Sequence, residues 1–151
     1  MKSIKSKSLK SKSLKSDLSP LRWVGGKSRA VSPFSQLIPY RPEVVAPFFG
    51  GGSYELALAE SGVIVHGYDA DPWLVAFWQM ALSKPALLAA IADTYHPMNK
   101  EKFLALRKDA LAGKLSKEHY AVALFVVNRC ARSGNVYNGG YNNPRDRKSV
   151  V

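Results

Sequence analysis

Two glycine clusters, an indole, a lysine and an aspartate hold the chemical possibilities of this chain. In VVAPFFGGGSYELALAESGVIVHGYDADP, residues 44–72, Phe48 and Phe49 run into Gly50, Gly51 and Gly52, and Asp69 closes the next apolar run. Three residues without side chains open the backbone to close approach by a ligand. Asp69 lies 17 residues past the last glycine, close to the roughly 20 that bring an acid to ribose hydroxyls. Upstream, LRWVGGKSR at 21–29 sets Trp23 and Lys27 around Gly25 and Gly26. An indole face can cover an adenine or a sulfonium, and an ammonium can pair with a carboxylate.

The same residues exclude two phosphate-binding patterns. A dinucleotide fingerprint needs glycine at positions 50, 52 and 55, and position 55 is Glu55. An acid there is a poor seat for a pyrophosphate. A phosphate loop ending at Lys27-Ser28 needs glycine at position 21, which is Leu21, and a strand before it. The residues before Leu21 are Pro20 and a lysine-rich tail, which leave no room for that strand. A cofactor without phosphates fits better: S-adenosylmethionine has a ribose for Asp69 and a zwitterionic end for the open backbone. The competing reading is a tight turn in an ordinary α/β domain, with Trp23 a buried anchor and Lys27 solvated.

The elements that must position these groups are legible in outline. Glu43 to Phe48 reads as a short buried strand. Gly50 to Gly52 is a turn, and SYELALAES a short helix with Ser53 as cap and Gly62 as stop. Val63 to Tyr68 is a second strand. After Asp69 the period becomes helical, with Leu74, Phe77, Trp78, Ala81 and Leu82 on one face up to Pro85, and Leu87, Leu88 and Ile91 on the next helix. A third helix presents Phe103, Leu106, Ala110 and Leu111 between Asn99 and Gly113. A fourth, capped by Ser116, presents Tyr120, Ala123, Leu124 and Val127. Their outer positions are basic: Lys100, Lys102, Arg107, Lys108, Lys114 and Lys117. In NRCARSGNVYNGGYNNPRDRK, Asn138-Gly139 between Tyr137 and Tyr141 signals a hairpin turn. A flexible basic hairpin with aromatic rings suits a DNA groove or a displaced base.

Composition bounds the rest. The formal charge is +11, and without the six lysines of residues 2–15 it is still +5, which favours an anionic partner, nucleic acid first. That tail, with KSLKS twice in tandem, follows neither helix nor strand period and reads as disordered. No apolar run is long enough for a membrane span. The basic N-terminus lacks the apolar stretch of a secretory signal. The single cysteine, Cys130, excludes an internal disulfide and suits a reducing cytoplasm.

Together, LRWVGGKSR, APFFGGGSYELAL, GYDADPWLV and VNRCARSGNVYNGGYNNP resemble the Dam-like, D12 class of DNA adenine-N6 methyltransferases over about Ser19 to Pro144. The resemblance implies an α/β, Rossmann-like S-adenosylmethionine-dependent sheet, incomplete here, with a helical DNA-recognition insert. It implies cofactor contacts from Trp23, Lys27 and Asp69, with Phe49, Gly50, Gly51 and Gly52 beneath the methionine part. It places DNA contacts on the hairpin, where Arg132, Asn135, Tyr137 and Arg145 are the candidates. The implied organisation is a disordered tail at 1–18, a cofactor-binding half at 19–71, a recognition insert with terminal hairpin at 72–143, and a truncated end at 144–151. The family positions its target adenine with an Asp/Asn-Pro-Pro-aromatic motif. None occurs here, since DPW at Asp71 lacks the second proline and NPRD at Asn143 fits no better. No catalytic residue or metal ligand is therefore assigned. The expectation is a monomeric, cytoplasmic chain that binds duplex DNA without a membrane, and that does not methylate DNA unless a missing C-terminal half supplies the motif. The rival readings are a non-catalytic DNA- or cofactor-binding module and a nicotinamide-dependent oxidoreductase.

Overall fold

The computed structural model describes residues 18–37 and 41–142, of which 35–37 by backbone alone. The lysine tail before residue 18, Arg145 and the end at 144–151 lie outside them. After a 3-10 turn at Ser28–Ala30 come α1 (Val31–Leu37), β1 (Glu43–Ala46), α2 (Ser53–Glu60) and β2 (Ile64–Gly67). Four helices follow: α3 (Pro72–Ser83), α4 (Pro85–Thr94), α5 (Lys100–Leu111) and α6 (Lys117–Cys130), then a 3-10 turn at Arg132–Gly134. The fold is thus mixed α/β, with one two-stranded parallel sheet among the described residues.

The crossover through α2 makes β1 and β2 parallel, with Val44 opposite Val65 and Val45 opposite His66. Both strands therefore end at the same edge. The glycine run leaves β1 there, and Asp69 leaves β2 there. In parallel sheets this carboxyl edge is where ligands bind.

The helices begin where local chemistry dictates. Asp71 caps α3, its Oδ1 accepting from the N–H groups of Trp73 at 2.9 Å and Leu74 at 3.2 Å, with Pro72 in the first turn. The Asn99 carboxamide accepts from Lys102 N–H at 2.8 Å, and Ser116 Oγ from His119 N–H at 3.4 Å. Each such cap is worth about 1 kcal/mol. The apolar faces meet in one core of Trp73, Leu74, Phe77, Phe103, Leu124 and Val127. Trp73 stacks on Tyr120, and its Nε1–H donates to the Tyr120 carbonyl at 2.7 Å. Phe77 stacks on Phe125 with centroids 6.0 Å apart.

Several elements differ from the sequence reading. The first strand stops at Ala46 and is not buried: Val45 is 63% exposed and Phe48 80%. Strand alternation gives the reason. Val44, Ala46 and Val65 share the covered face, while Glu43, Val45, Ile64 and His66 share the other, which nothing covers among the described residues. Glu43 and His66 pair there at 2.6 Å. The α2 cap falls one residue early, on Gly52 at φ 66°, with Ser53 already helical. Leu82 and Leu111 are exposed although Ala81 and Ala110 beside them meet the core, so both leucines lie on the outer side of their helices' last turns. The helix α1 is an element that the apolar pattern does not announce. No single helix among the described residues is long and apolar enough to cross a membrane.

Candidate functional site

The glycine run is held by neighbours on every side. Gly50 N–H donates to Asp69 Oδ2 at 2.8 Å, and the Gly50 carbonyl accepts from Trp78 Nε1–H at 2.9 Å. Ser19 Oγ donates to the Gly51 carbonyl. A side chain on Gly51 would meet Trp23 Cβ at 2.7 Å, and one on Gly52 would meet Phe49 and Trp78. What first demands the bare backbone is therefore the protein's own aromatic packing. Trp23 lies across Gly50 and Gly51, and Phe49 meets Trp78 edge-on at 5.2 Å.

The consequence is a cleft of about 220 Å³ lined by the 23–27 segment, Phe48 to Ser53, Glu55 and Asp69. Trp23, Lys27, Phe49, Gly50, Gly51, Gly52 and Asp69 all line it, although they come from three separate stretches of chain. Asp69 has a double duty. Its Oδ2 holds Gly50, and its Oδ1 accepts from Asp71 N–H at 3.0 Å. A carboxylate offers about four acceptor sites, so lone pairs remain for a ligand's hydroxyls. Lys27 is exposed at the rim. Val24 and Phe48 stand exposed at the mouth.

Two neighbours were not foreseen as site residues. Glu55, in the first turn of α2, is a buried acid lining the cleft. In the sequence, an acid at that position excludes a dinucleotide and signals nothing more. Asn128 is fully buried on α6. Its Oδ1 accepts from Arg22 N–H at 2.9 Å, and its Nδ2 donates to the carbonyls of Arg22 at 3.0 Å and Gly134 at 2.8 Å. It fastens the Trp23 segment to the helical layer. An asparagine in an otherwise apolar helix stripe was the available signal.

This set of groups offers an indole and a phenyl face, one cation, two acids and open backbone. It suits a zwitterionic ligand carrying a flat ring and vicinal hydroxyls. It opposes a diphosphate, which would face Glu55 and Asp69 together. The volume, about 220 Å³, is below the roughly 300–1,000 Å³ of small-molecule sites, so a nucleoside-sized ligand would have to extend into the open mouth.

The segment after α6 takes a different form from the expected flexible hairpin. One antiparallel bridge, Ala131 to Tyr141, closes a compact loop. The Asn135 carboxamide accepts from the N–H groups of Tyr137 at 3.1 Å and Asn138 at 3.0 Å, and so builds the turn itself. Arg107 donates to the Gly139 carbonyl at 2.6 Å and lies over the Phe103 ring. It is thus a brace rather than part of a solvated basic face. Tyr141 donates to the Met98 carbonyl at 2.9 Å, and Tyr137 to Asp71 Oδ2 at 2.7 Å. Of the DNA candidates, Arg132 is exposed, Asn135 builds the loop's turn, Tyr137 ties the loop to Asp71, and Arg145 lies outside the described residues.

The model of one family, the D12 class N6 adenine-specific DNA methyltransferases, matches residues 23–144. No curated protein matches the chain.

Proposed function

As this chain belongs to the D12 class N6 adenine-specific DNA methyltransferase family, we propose that its cleft holds S-adenosylmethionine for methylation of adenine in duplex DNA. The observation that supports this most is the convergence of Trp23, Lys27, the glycine run and Asp69 on one cleft with two acids in its wall. The residues present fit that cofactor. Lys27 pairs with its carboxylate, Asp69 receives the ribose hydroxyls, and Trp23 and Phe48 supply apolar faces for the rest. Bound there, the cofactor supplies an electrophilic methyl group.

The unit β1–α2–β2 is then the start of a Rossmann-like sheet, and α3–α6 with the following loop is the target-recognition insert. Exposed Lys100, Lys102, Lys108, Lys114 and Lys117 add phosphate attraction that weakens with salt. An adenine inside a duplex must leave the stack before its amine can be reached, and the family's Asp/Asn-Pro-Pro-aromatic motif receives it. These 151 residues contain no such motif. In this reading they bind the cofactor and DNA, and turnover needs that motif from additional polypeptide. The test is transfer of labelled methyl from S-adenosylmethionine to adenine-containing duplex by the purified chain. The expected result is cofactor binding without transfer; robust turnover contradicts it.

A further inference from the structure

The loop from Ala131 to Tyr141 touches Arg22 and Asp71, the residues that adjoin Trp23 and Asp69 of the cleft. On one side Gly134 sits against the Trp23 segment. Asn128 holds the Gly134 and Arg22 carbonyls together, and a side chain on Gly134 would collide with the Arg22 carbonyl. On the other side Tyr137 donates to Asp71 Oδ2. Asp71 in turn donates its N–H to Asp69 Oδ1, and Asp69 Oδ2 takes Gly50 N–H. A continuous run of hydrogen bonds therefore links the loop to the glycine backbone through the acid of the cleft.

We infer that Tyr137 is a positioning residue: its hydroxyl, through Asp71, couples the surface loop carrying Arg132 to the setting of Asp69 in the cofactor cleft. This rests on the proposed cofactor reading and goes beyond it. Tyr137 is suited to the task. Its ring packs edge-on against Trp73 at 6.0 Å, which fixes its direction. Its phenol is pushed well above the usual range by burial first, then by the Asp71 hydrogen bond and charge. It remains a proton donor at any physiological pH. The carboxylate of Asp71 also caps α3, so the tie ends on a rigid element. A polyanion resting on the loop thus changes the affinity for a ligand on Asp69, and that ligand changes the affinity for the polyanion by the same factor.

Tyr137→Phe removes only the hydroxyl. Calorimetric titration of the 151-residue chain with S-adenosylmethionine, with and without an adenine-containing duplex oligonucleotide, reads the coupling. In the wild-type chain the duplex changes cofactor affinity about fivefold, within the usual range for linked sites. In Tyr137→Phe that ratio falls to near one, while both ligands still bind and the thermal midpoint stays close to wild type. A loss of stability alone does not produce that pattern. A ratio of one in the wild-type chain, or an unchanged ratio in Tyr137→Phe, overturns the inference but leaves the cofactor reading standing. No cofactor binding by the wild-type chain removes both.

Discussion

The helical layer and the strand pair treat their apolar residues in opposite ways. In α3, α5 and α6, Trp73, Phe77, Phe103 and Leu124 are buried, and the rings of Trp73 and Phe77 stack on Tyr120 and Phe125 of α6. In β1 and β2, Val45 and Ile64 lie in solvent beside the Glu43–His66 pair. Parallel strands are normally covered on both faces, and the described residues cover these on one. The cleft lies on the seam between the two regions. Asp69 and the glycine run come from the strand side. Trp78 and Asn128 reach across from the helical side and hold that loop and the Trp23 segment in place. The lesson is that the cleft's order is borrowed from the helices.

The largest effects should follow that division. Phe77→Ala, in the fully packed layer, is expected to cost about 3–5 kcal/mol. Val45→Ala, on the bare sheet face, is expected to change stability by no more than about 0.5 kcal/mol. Urea unfolding checks both, and comparable losses would erase the distinction. Next comes the seam. Gly134→Ala meets the Arg22 carbonyl at φ 71°, so a cost of about 1–3 kcal/mol is expected. If the helices order the cleft, the same substitution also loosens the Trp23 segment, seen as faster amide exchange at residues 21–27. Unchanged exchange there would make the seam independent of α6.

The smallest effect concerns pH. The phenols of Tyr54, Tyr95, Tyr120 and Tyr137 are all raised above 10.0, each chiefly by burial. A raised value means that the folded state keeps its proton longer than the unfolded chain does. The stability tied to these groups is therefore whole below pH 10.0 and is lost as pH climbs beyond it. Thermal midpoints should stay level between about pH 7 and pH 9 and fall above pH 10.0. The fall should be shallower in Tyr137→Phe. Because Tyr95, Tyr120 and Tyr137 belong to the helical side, the strand pair's amide exchange should show little extra sensitivity.

What could be read from sequence was what is local. Asn99 and Ser116 announce their helices because a cap bonds within three residues. The glycine run and Asp69 announce an α/β ligand edge because strand, turn and helix follow one another directly. What could not be read depends on distant partners. Asn128 finds Arg22 across 106 positions, and Tyr137 finds Asp71 across 66. The pattern NVYNGGY reads as a free hairpin until those partners are known. Likewise Val44 and Val45 look equally buried in a string of apolar residues. Only the pairing of β1 with β2 shows which one lies on the covered face.

The central claim is that the cleft between the Trp23 segment and the glycine run is a methyl-donor site, and Lys27 tests it most directly. Lys27 is exposed at the rim, so Lys27→Ala leaves the packing alone. Titration with S-adenosylmethionine should give saturable binding in the wild-type chain. It should be about tenfold weaker, or about 1.4 kcal/mol, in Lys27→Ala. Identical isotherms for the two proteins, or no binding by either, would contradict the account.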